Sequence, residues 1–214
     1  MSDLVACADG KTRCAYRIDD PVYQHYHDTQ FGRPTADDRI IFRKICIEAF
    51  AAGLSFHGTL RKMPAMDAAF ENFEIARVAE FDAAKIADLL EDAALIRNAA
   101  KVNAAVHNAR CMREIIADVG SLAAFVWQFE PPRAERPERV TSDTVRTITQ
   151  TRQSEDLAKA LKKRGLKFVG PVSMYGVFQG CGLINDHYAG CDVGAECDRA
   201  RAAFEVPQPR DARG

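Results

Sequence analysis

The stretch Leu161–Gly182, LKKRGLKFVGPVSMYGVFQGCG, decides the fold of this 214-residue chain. It reads as the end of one helix, a tight glycine turn and the start of a second helix. Ser154, followed by Glu155 and Asp156, opens the first helix and Gly165 closes it. Carboxylates then lie at the positive end of the helix dipole, and Lys162, Lys163 and Arg164 at the negative end. Pro171 suits the first turn of the second helix, where no N–H is needed. The same grammar extends outward. Asp37 or Asp38 caps a helix running to about Ala52 and ended by Gly53, Asp82 opens DAAKIADLLEDA, the alanine-rich Asn98–Val119 stops at Gly120, and Ser121 caps LAAFVWQF. No alternating apolar run exceeds three or four residues, so strands are not expected and the fold class is all-α.

Lys+Arg total 29 against Asp+Glu 30, a formal charge of −1. That excludes a protein held to polyanions by its global field, but not one with a local basic patch. At 47% hydrophobic and 28% charged the chain reads as soluble and globular, and no run of about 18 apolar residues spans a membrane. The start, MSDLVACADGKTR, lacks a basic segment followed by an apolar one, so a cytoplasmic protein with reduced thiols is expected. Residues 1–11 and 195–214 are short of apolar pattern and predicted to be flexible ends. The ordered part, 12–194, reads as one domain of two helical lobes, joined by a long loop at 131–153 that carries three prolines.

Seven cysteines is an odd number, so they cannot all pair within one chain. Cys46, Cys111 and Cys181 fall in apolar helical patterns and read as small hydrophobes. Near the start stand Cys14 and His27; near the end, His187 and Cys191 in H-x3-C spacing, one helical turn apart if that segment is helical. Two thiolates and two imidazoles make a closed tetrahedral zinc set with no open position. Spacing alone leaves His25 as an alternative to His27, Cys197 to Cys191, and burial in the core as an alternative for each residue singly.

Glu48, in DDRIIFRKICIEAFAAG, lies on one helical line with Ile41, Ile45 and Ala52. A carboxylate on an apolar stripe needs a partner or a wet site. It is either a buried Glu satisfied by amides or an Arg, or a pocket acceptor for a ligand with N–H donors. Tyr16, Tyr23, Tyr26, Phe31 and Phe56 cluster in neighbouring segments; Phe31 and Trp127 are expected in the core.

Six segments in order, RCAYRIDDPVYQHYHDTQFGRP, IEAFAAGLSF, LIRNAAKVNAAVHNAR, FVWQF, LKKRGLKFVG and GLINDHYAGC, resemble the landmarks of the bacterial 3-methyladenine DNA glycosylase I family, from Arg13 to Cys191. The resemblance implies a helix–hairpin–helix DNA glycosylase fold with its termini clipped by one structural zinc ion on Cys14, His27, His187 and Cys191. It implies excision of 3-methyladenine from double-stranded DNA by a monofunctional hydrolase, expected to be a monomer. Glu48 would hydrogen-bond the flipped base, with Tyr16, Tyr23, Tyr26 and Phe56 around it. Gly53 and Leu54 would fill the gap left by the flipped nucleotide. The hairpin, with Lys162, Lys163, Arg164, Lys167 and Gly170, would hold phosphates without regard to sequence.

The departures concentrate in the pocket. Tyr16, Phe31 and Phe56 stand where the family usually has tryptophan, and FAAGLSF replaces FQAGLSW, with Ala51 for glutamine. The expected slot is roomier, with weaker stacking by about 1 kcal/mol per contact. No catalytic carboxylate pair is evident; Asp186 is a candidate catalytic acid, a helix cap or a support for His187. The alternative reading is a zinc-containing DNA-binding relative with lost or altered excision.

Overall fold

The computed structural model describes residues 3–210. Among these are eleven α-helices packed about one large apolar core and two smaller apolar clusters, and a two-stranded hairpin whose second strand packs on the last helix. The hairpin pairs β1 (Leu4–Ala6) with β2 (Thr12–Cys14), Val5 opposite Arg13. Strands this short leave no alternation to read, which is why the sequence showed none.

The helices are α1 (Pro21–Thr29), α2 (Asp38–Ala51), α3 (Phe56–Ala69), α4 (Ile75–Ala79), α5 (Ala83–Glu91), α6 (Ala99–Val119), α7 (Leu122–Trp127), α8 (Ser142–Thr147), α9 (Arg152–Lys163), α10 (Pro171–Gly180) and α11 (Asp192–Ala202). Asp37, Asp82, Asn98 and Ser121 cap α2, α5, α6 and α7 with side-chain acceptors, as their spacing predicts. One start differs. Thr151, not Ser154, caps α9, and Ser154 returns the bond from the third position.

The core joins α2, α6 and α10 through Phe42, Phe50, Met112, Ile115 and Phe178, all essentially inaccessible. Phe70 and Phe73 stack at 5.2 Å across a turn in which Glu71, Asn72 and Phe73 all have positive φ. Left-handed backbone costs roughly 1–2 kcal/mol per residue, offset here by burying both rings. Trp127 is in the core as expected, its indole N–H donating to the Thr35 carbonyl at 2.9 Å. Cys46, Cys111 and Cys181 are also buried there.

The predicted loose segments carry regular structure. Residues 4–6 form β1, α8 lies inside the 131–153 connection, and α11 extends through Ala202. Tertiary polar contacts order them. The Thr12 amide donates to Asp192 at 2.6 Å, Lys11 pairs with Glu196, and Asp3 accepts from the Ser142 hydroxyl. Arg136 in the connection and Arg201 on α11 both bind Glu130. Residues 1–2 and 211–214 of the expected flexible ends lie outside the described residues.

Candidate functional site

A cavity of about 430 Å³ opens between α1, α2, α8 and α10, walled by Tyr16, Tyr23, Tyr26 and Phe56, with Glu48 in its lining. Asp20 sets the α1 wall by capping that helix, and it also binds His57 at 2.9 Å and Arg61 at 2.5 Å on α3. That accounts for His57, whose Asp20 bond fixes α1 against α3. Tyr26 is buried and meets Phe56 edge-on at 5.3 Å; Tyr16 is over half exposed at the rim and meets Tyr23 at 5.3 Å. Phe31 is only partly buried: it lines the cavity and meets the His187 ring at 4.9 Å. Its expected place in the core holds in part: it packs against the apolar cluster of Tyr26, Ile47, Leu60 and Met63 while one side of the ring meets the cavity.

Glu48 is bound by a partner the sequence did not announce. Lys44, one turn earlier on α2, places Nζ 2.8 Å from Glu48 Oε1 and donates to the Tyr26 hydroxyl at 2.9 Å. Burial works against the ammonium, but Glu48's charge, Tyr26 and both hydrogen bonds outweigh it and hold Lys44 above its ordinary range. Asp186 also faces the cavity, accepting from the Tyr175 hydroxyl at 2.7 Å and from Gln179 at 2.8 Å. It caps no helix, and the contact to the His187 ring comes instead from Asn185.

Behind Phe31, Cys14 from β2, His27 from α1 and Cys191 at the N-cap of α11 bring donor atoms within 4.8 Å of one another, all buried. His25 and Cys197 are not in this group, although Cys197 packs against it and donates to the Phe31 carbonyl. His27 Nδ1 lies 2.8 Å from Asp28, which leaves Nε2 facing Cys191 Sγ at 3.7 Å. The Cys14 hydrogen bond, aided by His27, draws Cys191 toward thiolate, whereas that same bond and burial push Cys14 up. His187 follows a different geometry from the one-turn spacing. It sits in an irregular segment before α11, outside the tight donor group, with its ring 4.6 Å from His27. Burial, then His27, lower its pKa to about 4, so the ring is neutral. One N–H cannot serve both Asn185 Oδ1 at 2.7 Å and the His27 carbonyl at 3.3 Å. With Asn185 served, the Nε2 lone pair is available to a cation. Cys14, His27 and Cys191, with Asp28 behind the His27 ring, are a donor set of the kind that holds a metal ion.

The hairpin between α9 and α10 is braced from α6. Asn108 accepts from the Lys167 amide at 2.8 Å and donates to the Lys167 carbonyl at 2.9 Å, and His107 lies 2.9 Å from the Gly165 carbonyl. Gly165 has φ +88, a conformation that suits glycine. Lys162, Lys163 and Lys167 are exposed, while Arg164 pairs with Asp118. Gly170 precedes α10, whose start has no side-chain cap. After α2, Gly53, φ +74, turns the chain so that Leu54 stands 56% exposed. Lys101 binds the Phe50 and Ala52 carbonyls just before this turn, at 2.8 and 2.6 Å. Asn108 and Lys101 were invisible in the sequence, since each acts on backbone about 50 or more positions away.

Residues 16–194 match the methyladenine glycosylase family. DNA-3-methyladenine glycosylase 1 of Escherichia coli (strain K12) is 38% identical over 179 residues, covering 84% of this chain and 95% of the relative. A crystal structure of a 3-methyladenine DNA glycosylase I superposes with TM-score 0.75 at 39% identity, covering 84% of this chain and 98% of that one. A variant of such an enzyme in complex with 3-methyladenine gives TM-score 0.78 at 30% identity, covering 85% and 97%. With its cavity, its braced hairpin and this match along most of its length, the chain belongs to the methyladenine glycosylase family.

Proposed function

We propose that this protein excises 3-methyladenine from double-stranded DNA, leaving an abasic site. The observation that carries the reading is the aromatic cavity holding a carboxylate, Glu48, beside an ordered helix–hairpin–helix. Ring faces of Tyr16, Tyr23, Tyr26 and Phe56 would sandwich a flat base, and the Glu48 oxygen not bound to Lys44 would accept from its amino group. A 3-methylated adenine carries positive charge in DNA and departs neutral, so its glycosidic bond needs little acid assistance. Holding the extruded base and supporting the sugar cation suffice. Lys44 is held as an ammonium and serves no Schiff base, which agrees with hydrolysis without strand cleavage.

Two helical lobes would close on the duplex. Gly53 and Leu54 would enter the gap, and the hairpin amides and the α10 start near Gly170 would hold phosphate, with Lys162, Lys163, Lys167 and part of Arg164's charge nearby. Cys14, His27, His187 and Cys191 would hold one zinc ion that fixes β2 to the start of α11. It would be structural, since four protein donors leave no position for water. No helix among the described residues is long and apolar enough to cross a membrane, and the proposed setting is a bacterial cytoplasm, acting as a monomer.

Methylated duplex DNA incubated with the wild type should release free 3-methyladenine, and Glu48→Gln should release it about 30- to 100-fold more slowly. Release no greater than from heat-inactivated protein would overturn the reading in favour of a DNA-binding relative without excision.

A further inference from the structure

Glu48 shares its cavity wall with a buried cation. The Lys44 side chain is 7% exposed, and its ammonium stands 4.5 Å from the Phe56 ring centre and 5.0 Å from that of Tyr26. Two glycines of α10 give the pair its room. A Cβ at Gly180 would meet Lys44 Cε at 2.1 Å, and one at Gly176 would meet Glu48 Cδ at 2.5 Å. Residues one turn apart on α2 thus lie in two depressions one turn apart on α10, a fit no alanine pair would allow.

An isolated carboxylate in such a slot would favour a cationic base by charge alone. Here an ammonium sits 2.8 Å from one carboxylate oxygen, so the pair presents a dipole, whose attraction for a charge falls far more steeply with distance. The ammonium also ties up that oxygen, leaving the other for a ligand in the cavity that Glu48 lines. We propose that Lys44 is a positioning residue that sets base selectivity: it holds Glu48 as a one-oxygen acceptor and cancels much of its charge, so the pocket separates cationic from neutral purines mainly by shape and hydrogen bonding. This inference rests on the reading of Glu48 as the group that meets the base.

The test compares two purines of nearly equal shape, the fixed cation 3,9-dimethyladeninium and neutral 9-methyladenine, each titrated into the full-length protein while ring resonances of Tyr26 and Phe56 are followed. The wild type should prefer the cation by less than about tenfold, and Lys44→Met and Lys44→Gln should each raise that ratio by about tenfold or more. A merely structural role for Lys44 would weaken both probes together and leave the ratio unmoved. A wild-type preference above about a hundredfold overturns the proposal even if neither variant folds, as does a ratio within twofold of wild type in a folded variant. If neither probe moves the cavity resonances of the wild type, the pocket reading itself fails, and this inference with it.

Discussion

The protein carries two buried polar clusters that both adjoin the cavity, and they balance charge in opposite ways. The aromatic cavity supplies its own counter-ion, Lys44 against Glu48, on a single helix. The Cys14–His27–Cys191 group, with His187 beside it, gathers donors from both ends of the chain. One cluster is complete as folded; the other, on the reading proposed above, would be completed by an ion from solution. The difference teaches that a buried carboxylate and a buried thiol pair answer the same desolvation problem by different routes.

The strongest way to break this comparison is at the metal cluster. Cys191→Ser should reduce bound zinc from about one per chain to near none and lower stability by about 4 kcal/mol or more, roughly 8–16 °C in Tm for a chain of this size. Elemental analysis with a calorimetric melt reads both; a melt unchanged by the substitution would remove the cluster from the fold's support. Next comes the self-balanced pair. Glu48→Gln leaves Lys44 buried without its carboxylate and should cost about 3 kcal/mol in urea unfolding, much of it regained in Glu48→Gln/Lys44→Met. Additive losses would mean that the two side chains do not act as a unit. Gly180→Ala should destabilise by about 1–3 kcal/mol through the clash with Lys44, and the loss should shrink when Lys44 is also alanine.

The smallest effect is expected at the periphery. Glu130 is lowered despite burial by its bonds to Arg201 and Arg136. A carboxyl depressed in the folded state contributes stability above its unfolded pKa and loses it as pH falls through the folded value. Glu130→Gln should therefore cost about 1 kcal/mol near neutrality, and the difference should close as pH falls below about 4. A difference that persists in acid would assign the effect to packing.

What the sequence made legible follows from the range of each interaction. Asp37 and Asn98 cap bonds that reach three residues, so spacing alone locates α2 and α6. Glu48 was visible because a carboxylate interrupts an apolar stripe. Lys44 was not, since a lysine in a helix reads as solvated until Gly180, 136 positions later, is seen to receive it. The H-x3-C spacing picked Cys191, which joins Cys14 and His27 in one donor group, but its geometric reason fails for His187, which precedes α11 in an irregular segment outside that group. Composition made the chain ends look loose because their order comes from Asp192, Glu196 and Glu130, partners distant in sequence.

The seam between β2 and α11 also governs how the molecule would carry force. A pull applied to the two ends would load the Asp3–Ser142 and Arg210–Val119 bonds first and the Thr12–Asp192 and Lys11–Glu196 bonds of the seam after them. Everything between Cys14 and Cys191, including the cavity and the hairpin, forms a closed loop behind that seam. Tension at the N-terminal end would also pass through Ser142 to α8, whose Val145 and Arg146 line the cavity.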